Sequence, residues 1–275
     1  MSASPFLQVP IRLQHQAPEV FERLAEIGML CVRAKNLTGE LVAIADPAGL
    51  AMESGDSLLF PGLGLSVARE RVVGLHALRM ASLPQNPGIL ELDFTQGRFP
   101  LAFALPDELA DGARLREFVA EFCVEEVELM ELLRWRDGLS APVEACPCCK
   151  AAAAERRARP DLHPLAPILA DLVELQLPMH CRIRGDGFDF SRFIEPRRVS
   201  FEGGAITLND DSGECVLRVD PAQAHALWVL PLCSDGETRS SVRIYDTFGS
   251  MNLEFSVPDD RFVKPWQGYC RAACP

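Results

Sequence analysis

The chain has 275 residues, enough for one large domain or two modest ones, and 48% of them are hydrophobic, which supplies buried cores in either case. Its formal net charge of −12 excludes general affinity for nucleic acid or for an anionic membrane, because both demand a basic surface. No apolar run reaches the length that spans a bilayer, and Met1 to Pro10 lacks a basic segment followed by a long apolar stretch, so a cytoplasmic location away from membranes is expected.

In chain order, Pro18 to Leu30 sets Val20, Leu24 and Ile27 at helical spacing behind a proline suited to a first turn, which predicts a short amphipathic helix. Leu41 to Ala45, Ser57 to Phe60, Leu75 to Ala81, Ile89 to Phe94 and Leu101 to Leu105 read as strands separated by Gly, Pro, Asn and Asp, the pattern of an antiparallel meander. A long helical pattern then runs from Ala113 to Trp135, with Phe118, Phe122 and Leu129 or Leu132 forming its apolar stripe. Asp137 to Pro160 holds Cys146-Pro147-Cys148-Cys149, four consecutive alanines and an arginine cluster, and reads as a linker. Beyond it, Pro167 to Leu177 repeats the amphipathic helix, and Val216 to Val219, Ala226 to Leu230, Ser241 to Tyr245 and Asn252 to Val257 repeat the strands.

This doubling extends to single residues. A shift of 149 places Ala17-Pro18 on Ala166-Pro167, Gly55 on Gly204, Gly64 on Gly213, Val67 on Val216 and His76-Ala77-Leu78 on His225-Ala226-Leu227. A shift of 152 then places Gly97, Phe103, Pro106 and Asp107 on Gly249, Phe255, Pro258 and Asp259. The expected fold class is therefore α+β with an internal duplication, two similar halves each holding a large antiparallel β-sheet flanked by helices. The first repeat is expected over 1–137, the linker over 138–160 and the second repeat over 161–275.

Between Lys150 and Arg198 nine basic residues stand against seven acidic ones, so an anionic small ligand is most plausibly met there. His76 and His225 sit in apolar strands and read as a symmetric core pair, and His15 reads as a capping residue ahead of the first helix. Ten cysteines are many for a cytoplasmic chain, and reduced thiols are expected. Cys146, Cys149, Cys270 and Cys274 supply four thiolates for a zinc site provided the linker and the C-terminus meet; a redox pair and a thiolate haem ligand are the competing readings. Gly-rich phosphate loops, Ser-His-Asp order and HExxH helices do not occur, which leaves standard hydrolase and nucleotide chemistry without a foothold.

Asp161-Leu162-His163, Val216-Leu217-Arg218-Val219, Ala226-Leu227-Trp228-Val229 and Ile244-Tyr245-Asp246-Thr247-Phe248-Gly249 together resemble the second half of the bacterial hemin-degrading and haem-trafficking family (HemS/ChuX-like). The resemblance implies two stacked similar halves, haem as cofactor and His163 as its axial ligand. It also implies a haem-delivery or haem-oxygenase partner. A neutral imidazole suits haem iron, and Arg182, Arg184, Arg243 and Tyr245 are assigned to the propionates by location alone. The family's His-Lys pair is replaced by Met251-Asn252-Leu253-Glu254, which bears on haem degradation more than on binding. The expected function is to carry or buffer haem, with degradation left open; the alternative is a non-catalytic duplicated scaffold stabilised by zinc.

Overall fold

A computed structural model describes residues 8–16, 18–47, 51–52, 57–80, 88–106, 112–139, 147–234 and 236–272. The first half runs β1 (Gln8–Leu13), α1 (Pro18–Ala25), β2 (Leu30–Lys35), β3 (Gly39–Ala45), β4 (Ala51–Met52), β5 (Ser57–Phe60), β6 (Leu65–Ala68), β7 (Val72–Met80), β8 (Ile89–Phe94), β9 (Leu101–Ala104), α2 (Ala113–Phe122), β10 (Cys123–Glu126) and α3 (Leu129–Leu139). The second half runs α4 (Pro147–Ala158), a 3-10 turn at Pro160–Leu162, α5 (Leu165–Glu174), β11 (Met179–Arg184), β12 (Phe188–Ile194), β13 (Pro196–Glu202), β14 (Ala205–Asp210), β15 (Cys215–Val219), β16 (Ala226–Ser234), β17 (Glu237–Tyr245), β18 (Met251–Pro258) and α6 (Val263–Ala272).

The chain is thus an α+β duplication. The order helix, eight strands, helix from α1 to α2 recurs from α5 to α6. Strands β2 and β11 stand 149 apart, as the sequence repeat requires. From β6 onward, however, the strand pairing sets the shift at 152. Leu41 pairs with Leu217 whereas its counterpart Phe190 pairs with Leu65, and Leu75 pairs with Leu92 as Leu227 does with Ile244. The added residues lie in the β14–β15 turn, which spans Asn209 to Val216, against Phe60 to Leu65 in the first half. Matching His76 with His225 is therefore corrected: His76 corresponds to Trp228, and His225 is exposed just ahead of β16.

Contacts divide the chain into two units, one of Met1–Ala34, Ile44–Pro142 and Gly185–Phe190, the other of Lys35–Ala43, Val143–Arg184 and Ser191–Pro275. Each half therefore gives the other one strand segment. In the first unit β10, β1, β7, β8, β9 and β2 lie side by side, and the start of β12 pairs with β6. In the second, β16, β17, β18 and β11 form one array and β3, β15, β14 and β13 another.

Strand alternation decides which residues are buried. In the first unit Leu75, Ala77, Leu90 and Leu92 are buried on one face, and Phe21, Leu24, Phe118 and Phe122 of α1 and α2 are buried as well. In the second unit Val242, Ile244, Leu253, Phe255, Cys181 and Ile183 are buried, with Leu169, Leu172 and Trp266 of α5 and α6. Trp266 Nε1 donates to Asp171 Oδ2 at 3.0 Å, so the indole is buried with its one polar atom satisfied.

The helix expected from Ala113 to Trp135 is two helices separated by strand β10. The β-branched Val124 and Val127 flank a stretch that pairs with β1, Ile11 with Glu126 and Arg12 with Glu125, and Val127 N–H donates to the Pro10 carbonyl at 2.9 Å. Pairing to a neighbouring strand outweighs the helical spacing. Among the described residues no helix is long and apolar enough to cross a membrane.

Candidate functional site

On β7 and β8 of the first unit, His76 lies opposite Glu91, and Asp93 is two residues further along the same face. Both His76 and Asp93 are 3% exposed, so a polar pair is buried between apolar strands and has to satisfy itself. His76 Nδ1 is 2.9 Å from Asp93 Oδ2. Helix α3 brings Arg136 to the same carboxylate: its Nη2 donates to Oδ2 at 2.9 Å, and Nε stands 2.7 Å from Oδ1 as an ion pair off the hydrogen-bond line. Arg136 Nη1 stands 2.7 Å from Glu91 Oε2, likewise as an ion pair off the hydrogen-bond line. Burial opposes the guanidinium charge, yet Asp93 and Glu91 outweigh it and raise Arg136 above its ordinary value.

The guanidinium fixes the hydrogen-bond roles. A carboxylate that accepts from Arg136 is an acceptor only, so His76 donates through Nδ1–H, an arrangement that in the neutral ring puts the lone pair on Nε2. His76 also lines a cavity of about 540 Å³. Its walls include Leu13, Val73, Val124, Val127, Leu132 and Trp135, with Arg12, His15 and Glu131 as polar groups. The Trp135 ring stands 5.5 Å from the His76 ring, and Gly74 lets it approach: a Cβ on Gly74 would lie 2.8 Å from Trp135 Cη2. Burial and then the neighbouring His76 lower the basicity of His15, which lines the same cavity. A volume of this size, mostly apolar with a few convergent polar groups, is typical of small-molecule sites.

The corresponding face of the second unit is built differently. Trp228, Arg243, Glu254 and Arg182 form a row across β16, β17, β18 and β11. Arg243 Nε donates to Glu254 Oε1 at 2.9 Å, and Trp228 and Tyr245 meet edge to face at 6.3 Å. Arg182, Arg243 and Tyr245 are thus brought to one face, with Arg184 two residues along the same strand. Trp228 is 62% exposed and Phe248 47%.

His163 does not belong to that row. It precedes α5, is 7% exposed, and its Nδ1 accepts the Leu165 N–H at 3.2 Å, which caps the helix. The Ala224 carbonyl, to which Arg156 Nη1 donates at 2.6 Å, is a further polar neighbour of the ring. Burial, with Arg156 adding to it, pulls the ring down to about 4. Arg156 and Arg157 belong to helix α4, and Arg157 bonds Asp220 at 2.8 Å. The zinc quartet does not form as a described site: no group of three His, Cys, Asp or Glu able to hold a metal occurs among the described residues, and Cys146 and Cys274 lie outside them.

The Asp93–His76–Arg136 network is not apparent from the sequence. Its one linear signal was the presence of Glu91 and Asp93 in an otherwise apolar strand.

This α+β duplication has counterparts among solved structures. The chain is similar in structure to ChuS, the heme degrading enzyme of Escherichia coli O157:H7, at a TM-score of 0.69 and 14% identity, covering 97% of this chain and 87% of ChuS. It is likewise similar to apo-PhuS, a heme-binding protein from Pseudomonas aeruginosa, at 0.67 and 13%, covering 96% of this chain and 86% of PhuS. No protein-family model matches the sequence, and neither does any curated protein. At these identities the likeness establishes the fold.

Proposed function

We propose that this chain is a cytoplasmic haem-binding protein of the hemin-utilisation type, and that His76 is its iron ligand. The observation that carries the reading is the His76 ring, held through Nδ1 by Asp93 in the lining of the 540 Å³ cavity. The fold shared with ChuS and PhuS supports haem as the ligand.

The residues present fit the group. Neutral imidazole is a good donor to haem iron, and a carboxylate on the far ring nitrogen is the usual support for a metal-bound histidine. Leu13, Val73, Val124, Val127, Leu132 and Trp135 offer apolar walls to a macrocycle and exclude water from the ring edge. Arg12, which is half exposed and paired with Glu125, is the cation placed to meet a propionate. Haem would supply the iron and oxygen chemistry, while the chain binds, orients and shields it.

A second reading keeps His163 as the ligand, favoured by the Asp161-Leu162-His163 motif. It requires the buried ring to turn outward or to release the Leu165 N–H. Hemin titration separates the two. The wild-type protein is expected to give a shifted Soret band at near-stoichiometric hemin; His76→Ala weakens binding at least about tenfold, a loss of ~1.4 kcal/mol, and His163→Ala leaves it. The reverse pattern assigns His163. Absence of a Soret shift in the wild type removes the haem reading and leaves a duplicated binding scaffold.

A further inference from the structure

One oxygen of Asp93 serves two donors. Oδ2 is 2.9 Å from His76 Nδ1 and 2.9 Å from Arg136 Nη2, and the guanidinium spans on to Glu91 at 2.7 Å. The duplication supplies an internal control on whether the fold needs this arrangement. At the corresponding positions of the second unit stand Trp228 for His76, Arg243 for Glu91 and Tyr245 for Asp93, on strands paired in the same register. The same strands therefore form without the network, and packing alone does not account for its presence in the first unit.

We propose that Arg136 is a positioning residue for the His76 imidazole: it fixes Asp93 in the orientation that accepts Nδ1–H, and it draws on the carboxylate charge that would otherwise strengthen the ring as a donor. The first effect is geometric. Arg136 holds both carboxylate oxygens of Asp93 and one of Glu91, a straddle that needs a planar fork and that a lysine cannot reproduce. The second is electrostatic. A hydrogen-bond acceptor behind a metal-bound histidine makes the ring more basic toward the metal, and a cation on that acceptor moderates the push. The proposal rests on the reading of His76 as iron ligand, but its test begins on ligand-free protein.

In ligand-free protein, nuclear magnetic resonance of the ring nitrogens is expected to show His76 protonated at Nδ1 and bare at Nε2. Arg136→Gln is expected to move the Nδ1–H proton downfield, because Asp93 then serves that donor alone, and Arg136→Lys to move it by less. A Nδ1–H resonance at the wild-type position in both variants, or a ring protonated at Nε2 in the wild type, overturns the proposal. With hemin bound, Arg136→Gln is expected to lower the iron reduction potential and raise the ferrous iron–histidine stretching frequency relative to wild type. Unchanged values overturn the electrostatic part. Should the wild type take up no hemin, the haem reading fails by itself, and the ligand-free resonances still decide the role of Arg136. Glu91→Gln, which leaves both partners of Asp93 in place, is the check if Arg136→Gln does not fold: it frees Arg136 for Asp93 and is expected to move the Nδ1–H proton upfield, and a downfield shift or none overturns the proposal.

Discussion

The same four-strand face occurs twice in this molecule and is used in two ways. In the first unit α3 lies against it, and a histidine, a carboxylate and an arginine are buried beneath beside a cavity. In the second unit the corresponding positions carry Trp228, which is 62% exposed, and the half-buried Arg243 and Tyr245, with Arg243 paired to Glu254. The difference teaches that the strands set the positions, whereas what covers them decides whether a polar group is a costly buried charge or an ordinary surface residue. Buried, a polar network is either fully partnered or strongly destabilising.

The largest effect that sharpens this contrast is expected at Asp93. Asp93→Ala leaves the Arg136 charge and His76 without their shared partner and should cost about 3–5 kcal/mol, read as a drop in urea midpoint. Its counterpart Tyr245→Ala should cost less than half of that. Equal losses would mean that the two faces are energetically alike.

Next in size is a pH effect confined to the second unit. His163 titrates at about 4 in the folded chain against 6.5 for the unperturbed group, so the unfolded chain binds the proton more readily. Stability is therefore full above pH 6.5, falls as pH drops through that value, and has lost ~3 kcal/mol below about pH 4. Replacing His163 with Gln should flatten the stability curve between those limits. A slope there as steep as in the wild type would place the titrating group elsewhere.

Smaller still is Gly74→Ala. The added Cβ would meet Trp135 at 2.8 Å and push the indole outward, at a cost of about 1–2 kcal/mol, with a red-shifted tryptophan emission and weaker hemin binding. The least effect is expected for Trp228→Ala, within about 0.5 kcal/mol, because its side chain is mostly in water. A larger loss would show that this face has an unseen cover.

Much of the fold was legible in the residues. The repeat, the amphipathic helices at Pro18 and Pro167, and the strands at 41–45, 57–60 and 89–94 follow from periodicity and turn residues, which are local properties. The register beyond β6 was not, because Gly64 and Gly213 coincide at a shift of 149 although the turns they occupy differ in length. Nor was the break at Phe122, where a helical spacing yields to pairing with β1, a partner more than a hundred residues away.

The site was less legible than the fold. Arg182 lies far in sequence from Arg243 and Tyr245, and neighbouring strands carry all three to one face. His76 reads as core in sequence because its neighbours are apolar, and it is buried. What distinguishes it is Asp93, 17 residues on, and Arg136, 43 beyond that, and only the β7–β8 register and the seat of α3 bring them together.

The central claim is that His76, through Nε2, is where this chain meets haem iron. Exogenous imidazole tests it most directly in His76→Gly, where the missing ring leaves room for the free base beside Asp93. His76→Gly is expected to lose the wild-type Soret spectrum with hemin and to regain it when imidazole is added, with no such dependence in His163→Gly. A wild-type spectrum in His76→Gly without imidazole would contradict it.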